Sequence, residues 1–495
     1  MSAPPAIAWT IAGSDSGGGA GIQADLLAMH NLGAHGCSVI TAMTAQNSKG
    51  VTKVEYASCE MIKASLEALA CDLPAGAIKL GMLGTEEVMA EVASFLGTYE
   101  GPVVCDPVMI STSGSSLMDP AAKAKLTAAI FPRSTIITPN KLEAEALLGR
   151  ELRSARDVER AARDLLSTGV RSVLIKGGHH DESGALAQDF WTDGERALWL
   201  SSPRARHADT HGTGCTLSAA IAACLAQGYD ACDAVTIGKA YVTAGIGAAR
   251  RLGAGPGPVA HTGWPAQHAA MPWLTETAEQ GHDRPELPPC HRDWGLYPVV
   301  DSAEWVGRLV GMGVRDVQLR VKGMSGGALE GEIARAQELS AAAGARLWVN
   351  DFWREAVACG AYGVHMGQED LQEQGPFEVG FALAAAGTRL GISTHSYAEL
   401  ARALAVRPSY ISLGPVFATA SKDVQFAPRG AEEVRRWRNL IPPHVPLIAI
   451  GGITLERAPG VLAAGAEGIA VIAAVTKAPD VASAVAEWAA LWAKQ

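Results

Sequence analysis

The stretch VNDFWREAVACGAYGVHMGQEDL, residues 349–371, holds one fold repeat in miniature. An apolar run at 347–349 ends on Asn350 and Asp351, a helix-like segment follows, and a second apolar run at 363–366 leads to Gln368 and Asp370. Strand, helix, strand, with polar groups just beyond each strand, is the β/α unit. On either side of it similar runs recur at 296–300, 317–319, 390–392, 410–413, 447–450 and 468–472, making eight. Strands alternating with helices imply a parallel sheet, and eight repeats in about 200 residues match a (β/α)8 TIM barrel near its minimum length. An open doubly wound sheet shares the rhythm. The barrel is preferred because polar residues follow many of the runs: Asp301, Arg320 with Lys322, Asn350 with Asp351, Gln368 with Asp370, Ser393, and Gly451 with Gly452. Only closure brings every strand's C-terminal end to one mouth.

Earlier in the chain the α/β rhythm is longer and less regular, with strand-like runs at 6–12, 39–42, 78–80, 103–105, 136–138 and 173–175. These predict an open three-layer αβα sandwich with a mostly parallel sheet, whose ligands lie beyond the strands' C-terminal ends. The alanine-rich helical pattern stops near Leu252, and a Gly/Pro run at 253–258 opens a polar, Pro-rich stretch reaching about Arg292. That is the chemistry of a linker, or of a tail packed on the first domain. The expected organisation is a first domain over 1–265, a linker over 266–292 and a second domain over 293–495.

A chain of 495 residues exceeds the size at which one core keeps growing, and two domains are expected. The net charge of −10 argues against a nucleic-acid partner while leaving small anionic metabolites in play. Nine cysteines without a CxxC spacing fit neither a disulfide framework nor a zinc knuckle, and point to a reducing cytoplasm. The first ten residues lack a basic segment before an apolar one, and no run of about 18 apolar residues occurs, so neither export nor a membrane partner is expected.

The loop GSDSGGGAG at 13–21 follows the opening run and precedes a helix; it fits neither GxGxxG nor a Walker A pattern, so a plain strand-to-helix turn serves as well as a phosphate cradle. HGTGCT at 211–216 is sharper, because it runs directly into an apolar helix at 217–225. Gly212 and Gly214 let backbone N–H groups converge at a helix N-terminus, where an anion is favoured. Cys215 there is expected to have a depressed pKa and to act as a base or hydrogen-bond donor, the alternative being a buried structural cysteine. Asp106-Pro-Val-Met, Thr138-Pro-Asn-Lys-Leu-Glu143 and Lys176-Gly-Gly-His179 each follow a strand-like run. Acidic groups for Mg2+, a lysine for transferred charge and an anion hole are the parts of phosphoryl transfer.

The segments GSDSGGGAGIQAD, TAQN, DPVM, TPN, KGGH and HGTGCTLSAA resemble those of hydroxymethylpyrimidine/phosphomethylpyrimidine kinases, across roughly residues 5 to 265. The resemblance implies a ribokinase-like fold and two ATP-dependent phosphorylations, of 4-amino-5-hydroxymethyl-2-methylpyrimidine and then of its monophosphate. It places Gly13, Asp25, Gln46, Met82 and Val108 around the pyrimidine and Cys215 at the reacting hydroxyl. Asp106, Asn140, Glu143 and Lys176, with Gly212 and Gly214, would serve Mg·ATP, Lys176 acting in catalysis. Many sugar kinases of this superfamily carry aspartate in place of such a cysteine, which narrows the match.

In QLRVK at 318–322, strand alternation puts Gln318, Arg320 and Lys322 on one face. Asp351 and Asp370 close neighbouring runs, and a carboxylate pair with open coordination positions suits Mg2+ on a pyrophosphate, helix capping being the plainer alternative. QLRVK, VNDFWREAV, AYGVHMGQEDL, GIST, GPVFATASK and IGGI resemble thiamine phosphate synthases over roughly residues 295 to 490. That resemblance implies pyrophosphate binding by Gln318, Arg320, Lys322, Asn350, Ser393 and Lys422, and Mg2+ binding by Asp351 and Asp370. Thr419, Ser421 and Gly451, with Ile472 and Ala473, would bind thiazole phosphate. Arg320 and Lys422 would act in catalysis, drawing off pyrophosphate to leave a pyrimidine cation for the thiazole nitrogen to capture. Val321 and Ala473 depart from the family pattern, where an acidic residue and a serine are frequent.

The kinase's diphosphorylated product is the synthase's substrate, so the halves belong together chemically. A long flexible linker implies that this intermediate exchanges with solvent, and a homodimer is the expected assembly. The competing reading is a pyridoxal or hydroxyethylthiazole kinase joined to a phosphate-binding barrel sensor. Gln46 and Cys215 weigh against the first part and the carboxylates against the second.

Overall fold

The computed structural model describes residues 4–109, 120–177, 184–205, 209–418 and 428–493. The chain divides into two compact units, Met1–His282 and Asp283–Gln495.

Among the described residues the first unit is built on a ten-stranded sheet. Its strands are β1 (Ile7–Asp15), β2 (His35–Asn47), β3 (Gly50–Tyr56), β4 (Ala77–Leu80), β5 (Val103–Cys105), β6 (Ile136–Ile137), β7 (Val173–Ile175), β8 (Leu186–Thr192), β9 (Ala197–Pro203) and β10 (Trp273–Thr275). They run in the order β10-β9-β8-β7-β6-β5-β4-β1-β2-β3. The centre from β7 to β2 is parallel, while β3 at one edge and β8 to β10 at the other are antiparallel. β4 and β5 are buried along their whole length, as strands covered on both faces must be, and so read as unbroken apolar runs. Trp9 and Ile11 of β1 join a core with Ile62, Leu66, Val88 and Val92 from two helices. The helices Gly21–Asn31 and Thr213–Ala226 pack together, with the second lying on β1, β4 and β5, completing three layers in a ribokinase-like arrangement.

The second unit is a closed parallel barrel of β11 (Leu296–Val300), β12 (Asp316–Leu319), β13 (Arg346–Asn350), β14 (Gly363–Met366), β15 (Arg389–Thr394), β16 (Tyr410–Leu413), β17 (Leu447–Ile450) and β18 (Gly468–Val471). Helices follow the strands, and Trp294, Tyr297, Trp348 and Tyr410 form an aromatic cluster inside. Gly391 of β15 makes room for it, because a Cβ there would stand 2.1 Å from the Tyr410 ring.

The stretch 266–292 differs from the expected linker. Its first part belongs to the first unit: Trp273, Leu274 and Thr275 pair with Ser201, Leu200 and Trp199 and so cover the β9 edge. Its second part belongs to the barrel unit, where Arg284 donates to the Leu404 carbonyl at 3.3 Å and Ser409 to that of Pro288 at 2.7 Å. Arg389 likewise donates to Pro289 at 2.9 Å, and Cys290 joins the aromatic cluster. Only the first part is thus the tail packed on the first domain that the composition allowed as an alternative. The packing of both parts gives no support to a long flexible linker, and the first unit extends to His282.

Candidate active sites

The first unit holds a cavity of about 630 Å3 beyond the C-terminal ends of β1, β5, β6 and β7. Gly13, Gln46, Met82 and Val108 line it, as their assignment to a pyrimidine requires. So do Asp106, Asn140, Glu143 and Lys176, together with Gly212, Gly214 and Cys215. Eleven of the twelve sequence-nominated residues of this half thus reach one space. Gly212 caps the helix Thr213–Ala226 with φ +77°, and a Cβ on it would stand 1.8 Å from the Gly19 carbonyl oxygen. Glycine is required there, and this contact presses the 13–21 loop against the helix start.

Lys176 donates to Asp106 Oδ1 at 2.8 Å, and Thr138 donates to the same oxygen at 3.2 Å. A Cβ on Gly214 would lie 3.1 Å from the Lys176 ammonium and 3.3 Å from Asp106 Oδ2, so this ion pair sits against the first helical turn. Burial disfavours the Lys176 charge, but Asp106 and Glu143 raise its pKa above the ordinary lysine value, and it stays cationic. Asn140 and Glu143 form a capping box on the helix Lys141–Leu148: Glu143 N–H donates to Asn140 Oδ1 at 2.9 Å, and Asn140 N–H to Glu143 Oε2 at 2.7 Å. Burial pushes the Glu143 carboxyl up to about 7, with Lys176 opposing and Asp106 adding to the rise.

Two expectations are corrected. Asp25 does not line the cavity; it is fully buried, accepting from Lys79 at 2.7 Å and from Thr10 at 2.6 Å. The resemblance implied contact with the pyrimidine, but its carboxylate is turned to Lys79 of β4 and Thr10 of β1. Cys215 is not a low-pKa thiol: burial pushes it up to about 11, Lys79 pulling it down and Asp25 and Asp106 pushing it further up. Removal from water and two carboxylates outweigh the helix terminus here, so the sulfur carries its proton at neutral pH.

At the barrel mouth, Asp351 and Asp370 are hydrogen-bonded to each other, and burial followed by the Asp370 charge raises Asp351 to about 6, Arg320 opposing. Neither carboxylate caps a helix: the N-cap positions are Phe352 and Gly367, without side-chain caps. Asp351 adopts φ +67°, a left-handed conformation costly for a residue with a Cβ, and its carboxylate accepts from the Asn350 amide. Among the described residues no group of three or more His, Cys, Asp or Glu side chains forms a metal cage. A carboxylate pair fits Mg2+, which takes one or two carboxylates and fills its remaining positions with water and phosphate oxygens.

Gln318 points into the barrel and donates to Tyr297 OH at 3.1 Å. Arg320 follows the end of β12 and is partly exposed, whereas Lys322 lies three residues past Leu319 and is exposed. Strand alternation therefore does not reach Lys322, a correction to the single-face reading. Ser393 Oγ lies 2.8 Å from His365 Nε2. Gly451 has φ +99°, and its carbonyl accepts from Phe417 N–H at 3.0 Å, stacking the 414–417 loop on the β17 turn. Ile472 and Ala473 stand where β18 gives way to the one-turn helix Ala473–Thr476. Thr419, Ser421 and Lys422 lie outside the described residues.

The family model for phosphomethylpyrimidine kinase matches residues 15–260, and that for thiamine monophosphate synthase matches residues 296–475. The chain is 47% identical over 259 residues to the hydroxymethylpyrimidine/phosphomethylpyrimidine kinase of Rhizobium meliloti, covering 52% of this chain and 97% of that protein. It is 46% identical over 198 residues to the thiamine-phosphate synthase of Pectobacterium atrosepticum, covering 40% and 91%. Among the relatives that span both units is a probable chloroplastic thiamine biosynthetic bifunctional enzyme of Oryza sativa subsp. japonica, 33% identical over 489 residues, covering 95% of this chain and 86% of that one. This chain belongs to the bifunctional thiamine-biosynthesis enzymes.

As a bifunctional thiamine-biosynthesis enzyme it is a transferase twice over, with a hydroxymethylpyrimidine/phosphomethylpyrimidine kinase in its first unit and a thiamine-phosphate synthase in its second. Sequence reasoning missed three polar residues of the kinase cavity. Asp15 accepts from the N–H groups of Gly17, Gly19 and Ala20 at 2.7, 3.1 and 2.9 Å and so shapes the glycine loop. His211 Nε2 lies 3.4 Å from both Asp15 Oδ2 and Gln46 Nε2, joining that loop to the helix start. Lys79 lines the floor, and its signal was visible as a lone lysine within the apolar run 78–80.

Proposed function

We propose that the kinase cavity binds the aminopyrimidine among Gly13, Gln46, Met82 and Val108, and binds ATP phosphates at the Lys176–Asp106 pair and the Gly212–Cys215 turn. The observation that carries this reading is that ion pair, lying against the first turn of the helix Thr213–Ala226. Lys176 offsets charge on the transferring phosphoryl group, and backbone N–H groups of the turn receive it. Asp106 and Glu143 supply carboxylates for Mg2+, alone or through water. Cys215, protonated, orients the attacking hydroxyl by accepting its hydrogen weakly. A strong base is not needed, because the loose transition state leaves the nucleophile's proton in place until late.

In the barrel, Arg320, Lys322, Asn350, Ser393 and Lys422 hold the pyrimidine pyrophosphate, and Gln318 meets the pyrimidine end of it. Gly451, Ile472 and Ala473, with Thr419 and Ser421, bind thiazole phosphate. Asp351 and Asp370 would hold Mg2+, which would supply electrostatic stabilisation to the departing pyrophosphate. Arg320 and Lys422 add positive charge at the same oxygens, so that the bond to the pyrimidine methylene breaks ahead of thiazole attack. Ala473 presents a backbone N–H in place of a hydroxyl, and Ala473→Ser lowers KM for thiazole phosphate.

A homodimer is supported by Ile40, Met43 and Tyr56, exposed apolar side chains on the β2–β3 edge of the first unit. A reducing cytoplasm is supported by nine free cysteines, and no described helix is long and apolar enough to cross a membrane. The test is the purified chain with ATP, Mg2+, the pyrimidine alcohol and thiazole phosphate, followed by mass spectrometry. Successive pyrimidine mono- and pyrophosphate and then thiamine phosphate are expected; preference for pyridoxal, or no thiamine phosphate, overturns the reading.

A further inference from the structure

A line of buried polar groups crosses the barrel interior and joins Gln318 to Ser393. Gln318 Nε2 lies 3.1 Å from Tyr297 OH, which lies 3.0 Å from Tyr410 OH. Tyr410 OH lies 2.6 Å from His365 Nδ1, and His365 Nε2 lies 2.8 Å from Ser393 Oγ. Tyr297 and Tyr410 are at most 1% exposed, and Gln318 and His365 at most 8%, so the line is buried up to its partly exposed end at Ser393. The His365 ring stacks on that of Tyr410, 18° from parallel, and Gly391 leaves the space that Tyr410 fills.

The line has a direction. An amide nitrogen only donates, so Tyr297 accepts from Gln318 and turns its own hydrogen to Tyr410. Tyr410 then donates to His365 Nδ1, which fixes the imidazole hydrogen on Nε2. Nε2–H donates to Ser393 Oγ, and the serine's hydrogen is left to point elsewhere. With the opposite polarity Ser393 would give its hydrogen to His365 and offer only lone pairs to an anion. Burial holds both phenols well above their usual pKa, which keeps each hydroxyl hydrogen in place.

We infer that His365 is a positioning residue for the synthase reaction: set in one tautomer by the Tyr297–Tyr410 relay, it presents the Ser393 hydroxyl as a hydrogen-bond donor to the pyrophosphate of the substrate. The inference rests on Ser393 being a pyrophosphate ligand, as proposed above. The donated hydrogen bond strengthens as the leaving group gains charge, so its loss falls on kcat more than on KM.

The full chain is assayed with supplied pyrimidine pyrophosphate and thiazole phosphate, which bypasses the kinase. Ser393→Ala and Tyr410→Phe each lower kcat about tenfold, the size of one charge-assisted hydrogen bond, and leave KM for thiazole phosphate within about twofold. The double variant is no slower than Ser393→Ala, because a relay has nothing to act on once its terminal hydroxyl is gone. His365→Gln, which keeps an N–H donor near the Nε2 position, restores most of the rate lost in His365→Leu. Losses that multiply to about a hundredfold in the double variant would overturn the relay. So would a Ser393→Ala enzyme of wild-type rate. A wild-type chain that makes no thiamine phosphate from these two substrates would instead overturn the synthase reading itself.

Discussion

Lys79 and Asp25 form an ion pair with both side chains fully buried, directly beneath the kinase cavity. Breaking one side of such a pair strands a charge without water, so Lys79→Met is expected to cost about 3–5 kcal/mol in urea unfolding, most of it recovered in Lys79→Met/Asp25→Asn. Asp15 gives a pH-dependent counterpart. Burial pushes its carboxyl up, but hydrogen bonds from His211, Gly17 and Ala20 more than offset this and hold it below the ordinary 3.8. A lowered carboxyl pKa contributes stability that is present above the unfolded value and lost as pH falls through the folded one. Asp15→Asn is therefore expected to cost about 2 kcal/mol at neutral pH, with the gap to wild type closing below about pH 4 in denaturation curves. Cys215, pushed up to about 11, should react with iodoacetamide about tenfold faster per pH unit between about pH 7 and 9, read by peptide mass spectrometry. Asp106, Lys176 and Cys215 could be found from sequence because each follows directly on a strand or opens a helix. The burial of Asp25 could not be read, because depth below a cavity floor leaves no trace in the spacing of residues along a chain, whereas Lys79 stood out as a lone charge within an apolar run.

β10 shows how a short strand escapes detection: three residues carry too little alternation to stand out from their Pro-rich surroundings. Leu274, 3% exposed, nonetheless packs like a core residue. Leu274→Ala should lower the stability of the first unit by about 2–4 kcal/mol in calorimetry, whereas truncation of a linker side chain would leave it unchanged. The barrel strands were legible for the opposite reason, each being a largely buried run bounded by polar residues, repeated eight times. Their ends were less so: β12 stops at Leu319, and the side chains beyond it obey loop geometry rather than a two-residue period. The Asn140–Glu143 capping box lay in plain view as N-x-x-E, yet its residues were read only as ligands of ATP.

Two units, the first with a cavity built from its own residues and the second with polar residues at its barrel mouth, account for a chain that performs consecutive reactions. The division was legible because strand rhythm and composition change together near residue 253, although the packed tail displaced the boundary to His282. Since the residues proposed for each reaction fall within one unit, a Lys176→Ala chain mixed with an Asp351→Asn chain is expected to make thiamine phosphate from the pyrimidine alcohol, after a lag that shortens with protein concentration. A mixture that yields pyrimidine pyrophosphate but no thiamine phosphate would show the intermediate to be confined to the chain that makes it.

The left-handed backbone at Asp351 has a cost that every folded copy of the barrel bears. Glycine would relax that corner by about 1 kcal/mol and remove the crowding with Asp370, so Asp351→Gly should melt at a higher temperature than Asp351→Ala while making no product. Durability and turnover pull in opposite directions at this one position, and a barrel selected for endurance alone would carry glycine there.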